Sequence, residues 1–268
     1  ETLDKQMALQ MALQNNPTYK AALADIDAAD GVKLQASLLP NPDAVLEIEN
    51  FAGDGKNQGF DGAEITLGIG QTIEMAGKRR NRTNVADFTY RISRQQAKAQ
   101  ALSLLAETEY AFIRLAVAQE RMILADKRLA LADKTHSIVK KRVGAAKAAE
   151  IQHTKTDIEK AAAEVEKRKA EKELVTAETE LARLLGGVDS ADLDVEIDIK
   201  ALPELVNQQA LLDSIKNAPQ SKAQEFAKMQ AKSSLDLAYS EAVPDPSFGL
   251  GIRRFNENDS TALIASVS

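Results

Sequence analysis

The chain's two histidines, His136 and His153, are the residues best placed to do chemistry. If the chain reverses at Gly144 to Ala145, each lies eight residues from that point, at one height on adjacent helices. Glu150 and Asp157 then stand near one of them. Two imidazoles with a carboxylate suit a transition cation, or a pH sensor. The plainer reading is two histidines on an exposed helix surface. Met7 and Met11, one turn apart, would be a thioether pair for copper, but that spacing serves packing far more often. No metal site and no cofactor are therefore assigned, and His136 and His153 stand as candidates only.

Other chemistry is sparse. Ser, Asp and His occur without a nucleophile elbow, and Gly53, Gly55, Gly59 and Gly62 form a loose turn cluster rather than a phosphate loop. With no Cys, disulfides, thiol catalysis and zinc-thiolate sites are excluded together. The expectation is a protein that is not an enzyme. A net charge of −6 leaves no general basic footprint for nucleic acid. One local cluster, Lys78, Arg79, Arg80 and Arg82, would suit anionic headgroups, because cations at a helix start oppose its positive end.

The elements that must position these residues are mostly long helices. The composition is rich in Ala, Leu, Glu and Lys, with seven Pro, no Trp and 4% aromatic residues, which favours helices side by side over a thick core. A helical pattern from Leu3 to Leu39 breaks at Asn16-Pro17, a cap followed by a proline at the first helical position. From Met75 to Val143 there is no Pro and one early Gly, so one helix or a nearly continuous pair runs for roughly 100 Å. A second helix follows Val143-Gly144 and stops at Gly186-Gly187. Ile151, Ile158 and Val165 recur at sevens, as do Leu174 and Leu181 after a register shift, which predicts a coiled-coil hairpin. Glu166 to Glu173, charged everywhere but Ala170, reads as a solvated face.

The last third repeats the first. Leu9, Leu13, Asn15 and Pro17 return 202 positions on as Leu211, Ile215, Asn217 and Pro219. Both copies end their helix at a Pro-x-Pro stop, Pro40-Asn41-Pro42 and Pro244-Asp245-Pro246, and then alternate. Ala44, Leu46 and Ile48 oppose Glu47 and Glu49; Ala63, Ile65, Leu67 and Ile69 oppose Glu64, Thr66, Gly68 and Gly70. In the second copy Phe248, Leu250 and Ile252 oppose Ser247, Gly249 and Gly251; after a turn at Asn256 to Ser260 come Leu263, Ala265 and Val267. Val195 to Ile199 could add one short strand. Strands of about nine to thirteen residues with one apolar face match tilted membrane staves. Four cannot close a barrel, so this reading demands an oligomer.

Three stretches in this order resemble the TolC-like outer-membrane efflux channels, the outer membrane factors, across essentially the whole chain. Leu38-Leu39-Pro40-Asn41-Pro42 is similar to their barrel entry. Gln71-Thr72-Ile73-Glu74-Met75-Ala76-Gly77-Lys78-Arg79-Arg80 resembles the barrel exit of the heavy-metal cation exporters. Arg142-Val143-Gly144 followed by Glu150-Ile151-Gln152 resembles the periplasmic tip. Departures from the usual pattern are Ala145 in place of Leu, and Ala149-Glu150 in place of Thr-Asp. The acylated N-terminal Cys of many relatives has no counterpart here.

The resemblance implies a mainly α fold with antiparallel β-hairpins: a long coiled-coil helical hairpin plus four strands contributing to a trimeric 12-stranded barrel. Residues 1-39 would hold the helices of the first repeat, 43-74 a membrane hairpin, and 75-186 the helical hairpin with its tip near 143-147. A linker at 187-205, helices at 206-242 and a second membrane hairpin at 246-268 would follow. The chain starts at Glu1 and stops where a second helical hairpin should come, so it is expected to be a piece of a longer, processed protein. The function implied is a passive duct of a tripartite efflux system in the outer membrane of a Gram-negative bacterium, exporting substrates such as heavy-metal cations. Its partners would be two further copies, a periplasmic adaptor, an inner-membrane pump and lipid. Arg142, Val143, Gly144, Ala145, Glu150 and Ile151 would meet the adaptor. Leu46, Ile48, Ile65, Leu67, Ile69, Phe248, Leu250 and Ile252 would face lipid. The rival reading is a soluble periplasmic coiled-coil adaptor or scaffold, with the strands as a small capping domain.

Overall fold

A computed structural model describes residues 2–55, 59–189, 193–196 and 207–268. In order, the elements are β1 (Thr2–Leu3), α1 (Lys5–Asn15), α2 (Pro17–Ser37), β2 (Asp43–Glu49), β3 (Glu64–Thr72), α3 (Lys78–Gly144), α4 (Glu150–Leu184), β4 (Asp194–Val195), α5 (Gln208–Lys216), α6 (Pro219–Glu241), β5 (Ser247–Phe255) and β6 (Ser260–Val267). They fall into two compact units, Glu1–Ala24 with Gln96–Ala218, and Asp25–Gln95 with Pro219–Ser268. No helix among the described residues is long and apolar enough to cross a membrane.

In the first unit, the break before Pro17 is built as the residues dictate. Asn16 Oδ1 accepts from the Thr18 and Tyr19 amides, and its Nδ2 donates to Leu184 O at 3.1 Å, so this buried cap also ties the α1–α2 joint to the end of α4. Asp4 caps α1 through the Met7 amide. Phe112, Leu115, Leu181 and Leu185, all fully buried, centre a core completed by Ala8, Ala12, Leu3 and Val195. Met11 packs on this core, whereas Met7 is exposed. β1 and β4 pair in parallel, Leu3 opposite Val195. The short strand expected over Val195 to Ile199 is thus present at its start, while Ile197, Asp198 and Ile199 lie outside the described residues.

α3 is a single 67-residue helix. Its buried and half-buried positions recur as Leu115, Ala118, Met122, Ala125, Leu129, Ala132, His136, Val139 and Val143. Those of α4 recur as His153, Thr156, Lys160, Ala163, Lys167, Ala170, Leu174, Ala177, Leu181 and Leu184. These positions step by three and four along one seam, the signature of a coiled coil, and further half-buried residues such as Val117, Glu164 and Glu173 flank it. The expected register shift is therefore absent. Ile151, Ile158 and Val165 do not belong to the seam: they are 73%, 65% and 56% exposed. The sequence reading favoured them because they are large, whereas the seam uses Ala, Thr and Lys stems that let two helices approach closely.

Ion pairs fix the register of this hairpin. Arg114–Glu180 (2.6 Å) and Arg121–Glu173 (3.1 Å) link the helices on the core side, and Asp126–Lys167 (2.8 Å) and Asp133–Lys160 (2.7 Å) link them toward the tip. The sign reverses midway, α3 supplying the cations on the core side and the carboxylates toward the tip. Lys167 and Glu173, inside the charged run read as a solvated face, thus hold the partner helix.

In the second unit, β2-β3-β5-β6 form one antiparallel sheet. The strands span seven to nine residues, shorter than expected, but Asn256 N→Ala63 O and Ile73 N→Pro246 O carry the β3 pairing from Ala63 to Ile73. The repeat is reproduced in the elements: α2 starts at Pro17 and α6 at Pro219, each followed by its hairpin.

Candidate functional site

Cross-strand register gathers most of the large apolar residues of all four strands on one face, Val45 and Ile264 being on the other. Leu46, Leu67, Ile252 and Leu263 form one row, and Ala44, Ile69, Leu250 and Ala265 the next. Leu67, Ile69, Leu250 and Leu263 are 64%, 58%, 69% and 87% exposed, and Leu46, Ile48, Phe248 and Ile252 are also exposed. Ile65, the remaining residue expected on this face, is half-buried opposite Arg254. A contiguous bare apolar face of this kind marks a surface that meets something apolar.

The opposite face is mixed: Val45 and Ile264 flank the glycines Gly68 and Gly251 in one row, and polar side chains dominate the rows toward Glu49 and Arg253. Gly68 lies opposite Gly251 so closely that a Cβ on Gly251 would sit 2.9 Å from the Leu67 carbonyl oxygen. Beside them Arg253 is held by Glu64 (3.0 Å), Glu49 (3.0 Å) and Glu47 (3.8 Å), and its Nε donates to Thr66 Oγ1. Three carboxylates around one guanidinium leave this patch acidic. The sequence reading missed the network, although Arg253 shares the parity of Gly249 and Gly251, which was the available signal.

The basic cluster is corrected. Arg79 and Arg80 are exposed, but Lys78 is buried and Arg82 half-buried. Lys78 Nζ donates to Val243 O and pairs with Asp245 at 2.8 Å, just past the end of α6. Arg82 donates to Ala36 O and Leu38 O at the end of α2 and pairs with Glu74. Each cation therefore serves the C-terminal carbonyls of one of the two repeated helices, where positive charge is favourable. The ammonium of Lys78, followed by the Met75 amide, holds the Asp245 carboxyl below its ordinary range. Gln71 Nε2 completes this joint by donating to Pro40 O.

At the tip, the turn occupies Ala145 to Ala149, and α4 starts at Glu150 rather than directly after Gly144. Gly144 remains helical. The left-handed residue is Ala146, with φ of 55°, and Lys147 N→Arg142 O at 2.8 Å closes the helix end around it. Ala149 is the N-cap of α4 and offers no side-chain hydrogen bond, where Thr would supply one. Of the six residues expected to meet an adaptor, Arg142, Gly144, Ala145, Glu150 and Ile151 are exposed and Val143 is half-buried in the seam.

The two histidines do meet. Their ring centroids are 5.0 Å apart across the seam. Asp157 lies between them, 3.3 Å from His136 Nδ1 and 3.5 Å from His153 Nδ1, and Glu150 is 3.8 Å from His153 Nδ1. Thr156 Oγ1 is 3.4 Å from His136 Nδ1. His153 Nε2 is buried without a hydrogen-bond partner.

Comparison with known proteins agrees with this architecture. A family model described as "Outer membrane efflux protein" matches residues 8–187. The cobalt-zinc-cadmium resistance protein CzcC of Cupriavidus metallidurans is 27% identical over 120 residues, covering 45% of this chain and 27% of that protein. The crystal structure of the Campylobacter jejuni CmeC outer membrane channel superposes with a TM-score of 0.81 at 15% identity, over 98% of this chain and 60% of that one. CusC, solved in a study of folding and transmembrane channel formation, gives 0.75 at 18% identity, over 98% and 65%. The chain thus spans about a quarter of the curated relative and less than two thirds of these solved chains, and the structural likeness establishes the fold.

Proposed function

The chain belongs to the outer membrane efflux protein family, and from that premise we propose that its full-length protein is the outer-membrane duct of a tripartite efflux system. The observation that carries this reading is the sheet, with one bare apolar face, a second face that bears the Arg253 network, and edges at β2 and β6 that pair with no further strand among the described residues. In lipid an open edge leaves backbone groups unsatisfied, and a membrane barrel needs eight or more strands. Three copies of four strands meet that demand with twelve. The apolar residues from Leu46 to Ile252 then face lipid, and the Arg253 patch faces the water-filled interior.

The long hairpin extends into the periplasm, and the exposed stripes Ile151, Ile158, Val165 and Leu124, Leu131, Ile138 pack against neighbouring hairpins of a helical tunnel. The adaptor docks at Arg142 to Ile151, Arg79 and Arg80 approach headgroups, and an inner-membrane pump supplies direction. Such a duct does no chemistry on its cargo. Divalent metal cations are the cargo favoured by the Gln71 to Arg80 segment and by the name of the cobalt-zinc-cadmium resistance relative. A soluble scaffold would need helices over the sheet's apolar face, and the exposure of Leu67, Leu250 and Leu263 speaks against it.

Extraction of the full-length protein from membranes tests this reading. It should require detergent, migrate as a heat-modifiable trimer and conduct ions in a planar bilayer. A detergent-free monomer with one cooperative melt would overturn it.

A further inference from the structure

We propose that His136, His153 and Asp157 form a binding site for one divalent transition cation, which staples α3 to α4 close to the turn. The site stands on its own geometry and does not depend on the channel reading. Among the described residues these three are the one grouping of His, Asp and Glu donors whose ligand atoms all fall within reach of a shared ion, within 4.8 Å of one another.

Tetrahedral zinc with nitrogen and oxygen ligands at about 2.0–2.1 Å separates its donors by roughly 3.4 Å. His136 Nδ1 lies 3.3 Å from Asp157 Oδ1 and His153 Nδ1 lies 3.5 Å from Asp157 Oδ2, each near that length, so the imidazoles must close on each other and the carboxylate must turn to share an oxygen with the ion. Glu150, at 3.8 Å from His153, offers a fourth donor, a carboxylate oxygen. Two further features separate this cluster from a pair of surface histidines. Both rings sit at seam positions, with side chains 17% and 23% exposed, where one from each helix is held in place by the coiled coil. His153 turns Nδ1 toward Asp157 and Glu150, and its Nε2, on the other side of the ring, is buried without a hydrogen-bond partner where a seam position would ordinarily carry an apolar residue.

The donor set states the class of ion. Imidazole nitrogen with carboxylate oxygen suits Zn²⁺, Co²⁺, Ni²⁺ and Cu²⁺; the absence of thiolate and thioether at the site disfavours Cu⁺, and the nitrogen share disfavours Mg²⁺ and Ca²⁺. The consequence is local. The site lies about two helical turns from the reversal, and the reversal itself is held by an alanine in the left-handed region and an N-cap with no side-chain bond. A cation bridging the two helices there orders a tip that its own caps hold weakly.

Chelator-treated full-length protein titrated with Co²⁺ gives the test, because tetrahedral Co²⁺ announces itself by its visible absorption. One Co²⁺ per chain should bind, be displaced by Zn²⁺, and be weakened about 100-fold or more by His136→Ala or His153→Ala and about 10- to 100-fold by Asp157→Asn. A measurement without substitutions guards against misfolded variants: Zn²⁺ should protect both histidines of the unaltered protein from diethylpyrocarbonate, read by peptide mass mapping. Binding that the double histidine variant retains, or modification of both rings at an unchanged rate in saturating Zn²⁺, would overturn the proposal.

Discussion

Gly186 carries a φ of 95°, and a Cβ built on it would lie 2.6 Å from the Cβ of Asn15 and 2.9 Å from that residue's carbonyl oxygen. Both the left-handed backbone and the space demand glycine, so Gly186→Ala should destabilise the first unit by about 2 kcal/mol or more, measured by chemical unfolding. This requirement was legible as a Gly-Gly helix stop; its steric half was not, because Asn15 is remote in sequence. Asp245 is a second residue whose role emerges only in three dimensions. Its carboxyl is held low by Lys78, so the ionised form is favoured in the folded state. Its contribution is full above the ordinary aspartate range and is lost as pH falls through the lowered value. An unfolding series against pH should show Asp245→Asn less stable than the parent at neutral pH, with the gap closing in acid. A gap that persists unchanged in acid would rule out the charge as its cause.

At the scale of elements, the tip departs from good capping at two positions, and both departures are testable gains. Ala146→Gly removes the cost of a left-handed alanine, and Ala149→Ser supplies the missing N-cap acceptor. Each should stabilise the hairpin end by about 1 kcal/mol, read as slower amide exchange around residues 142–152. Unchanged exchange in both would mean the tip is ordered by something other than its caps. The sequence put the reversal at Gly144 to Ala145, whereas the turn runs from Ala145 to Ala149 and Gly144, the conspicuous glycine, stays helical. The heptads show the same limit. Leu174 and Leu181 mark the true seam, but its tip half is written in His, Thr, Lys and Ala, which size and hydropathy do not single out. Lys78 and Arg82 read as an interfacial patch because their acceptors, at the ends of α6 and α2, lie far away along the chain.

For the whole molecule, alternation made the strands legible, and the repeat made their number legible, because parity along a strand survives without tertiary information. The face that alternation leaves apolar is bare in the structure, as are the stripes at Leu124, Leu131, Ile138 and Ile151, Ile158, Val165. In a trimeric duct both surfaces are covered, by lipid or by other copies. Ile158→Asp in the full-length protein should therefore weaken the trimer while leaving the helix content of the chain intact, by size-exclusion light scattering and circular dichroism; an unaltered trimer would show that this stripe lies outside the assembly. The central claim, that the four strands are staves of a shared membrane barrel, is tested most directly by nitroxide scanning of β5 in the full-length protein reconstituted in bilayers. Labels at Phe248, Leu250 and Ile252 should be accessible to oxygen dissolved in lipid, and those at Gly249, Gly251 and Arg253 to a water-soluble relaxant. Uniform access to the water-soluble reagent along the strand, or no access to either, would contradict it.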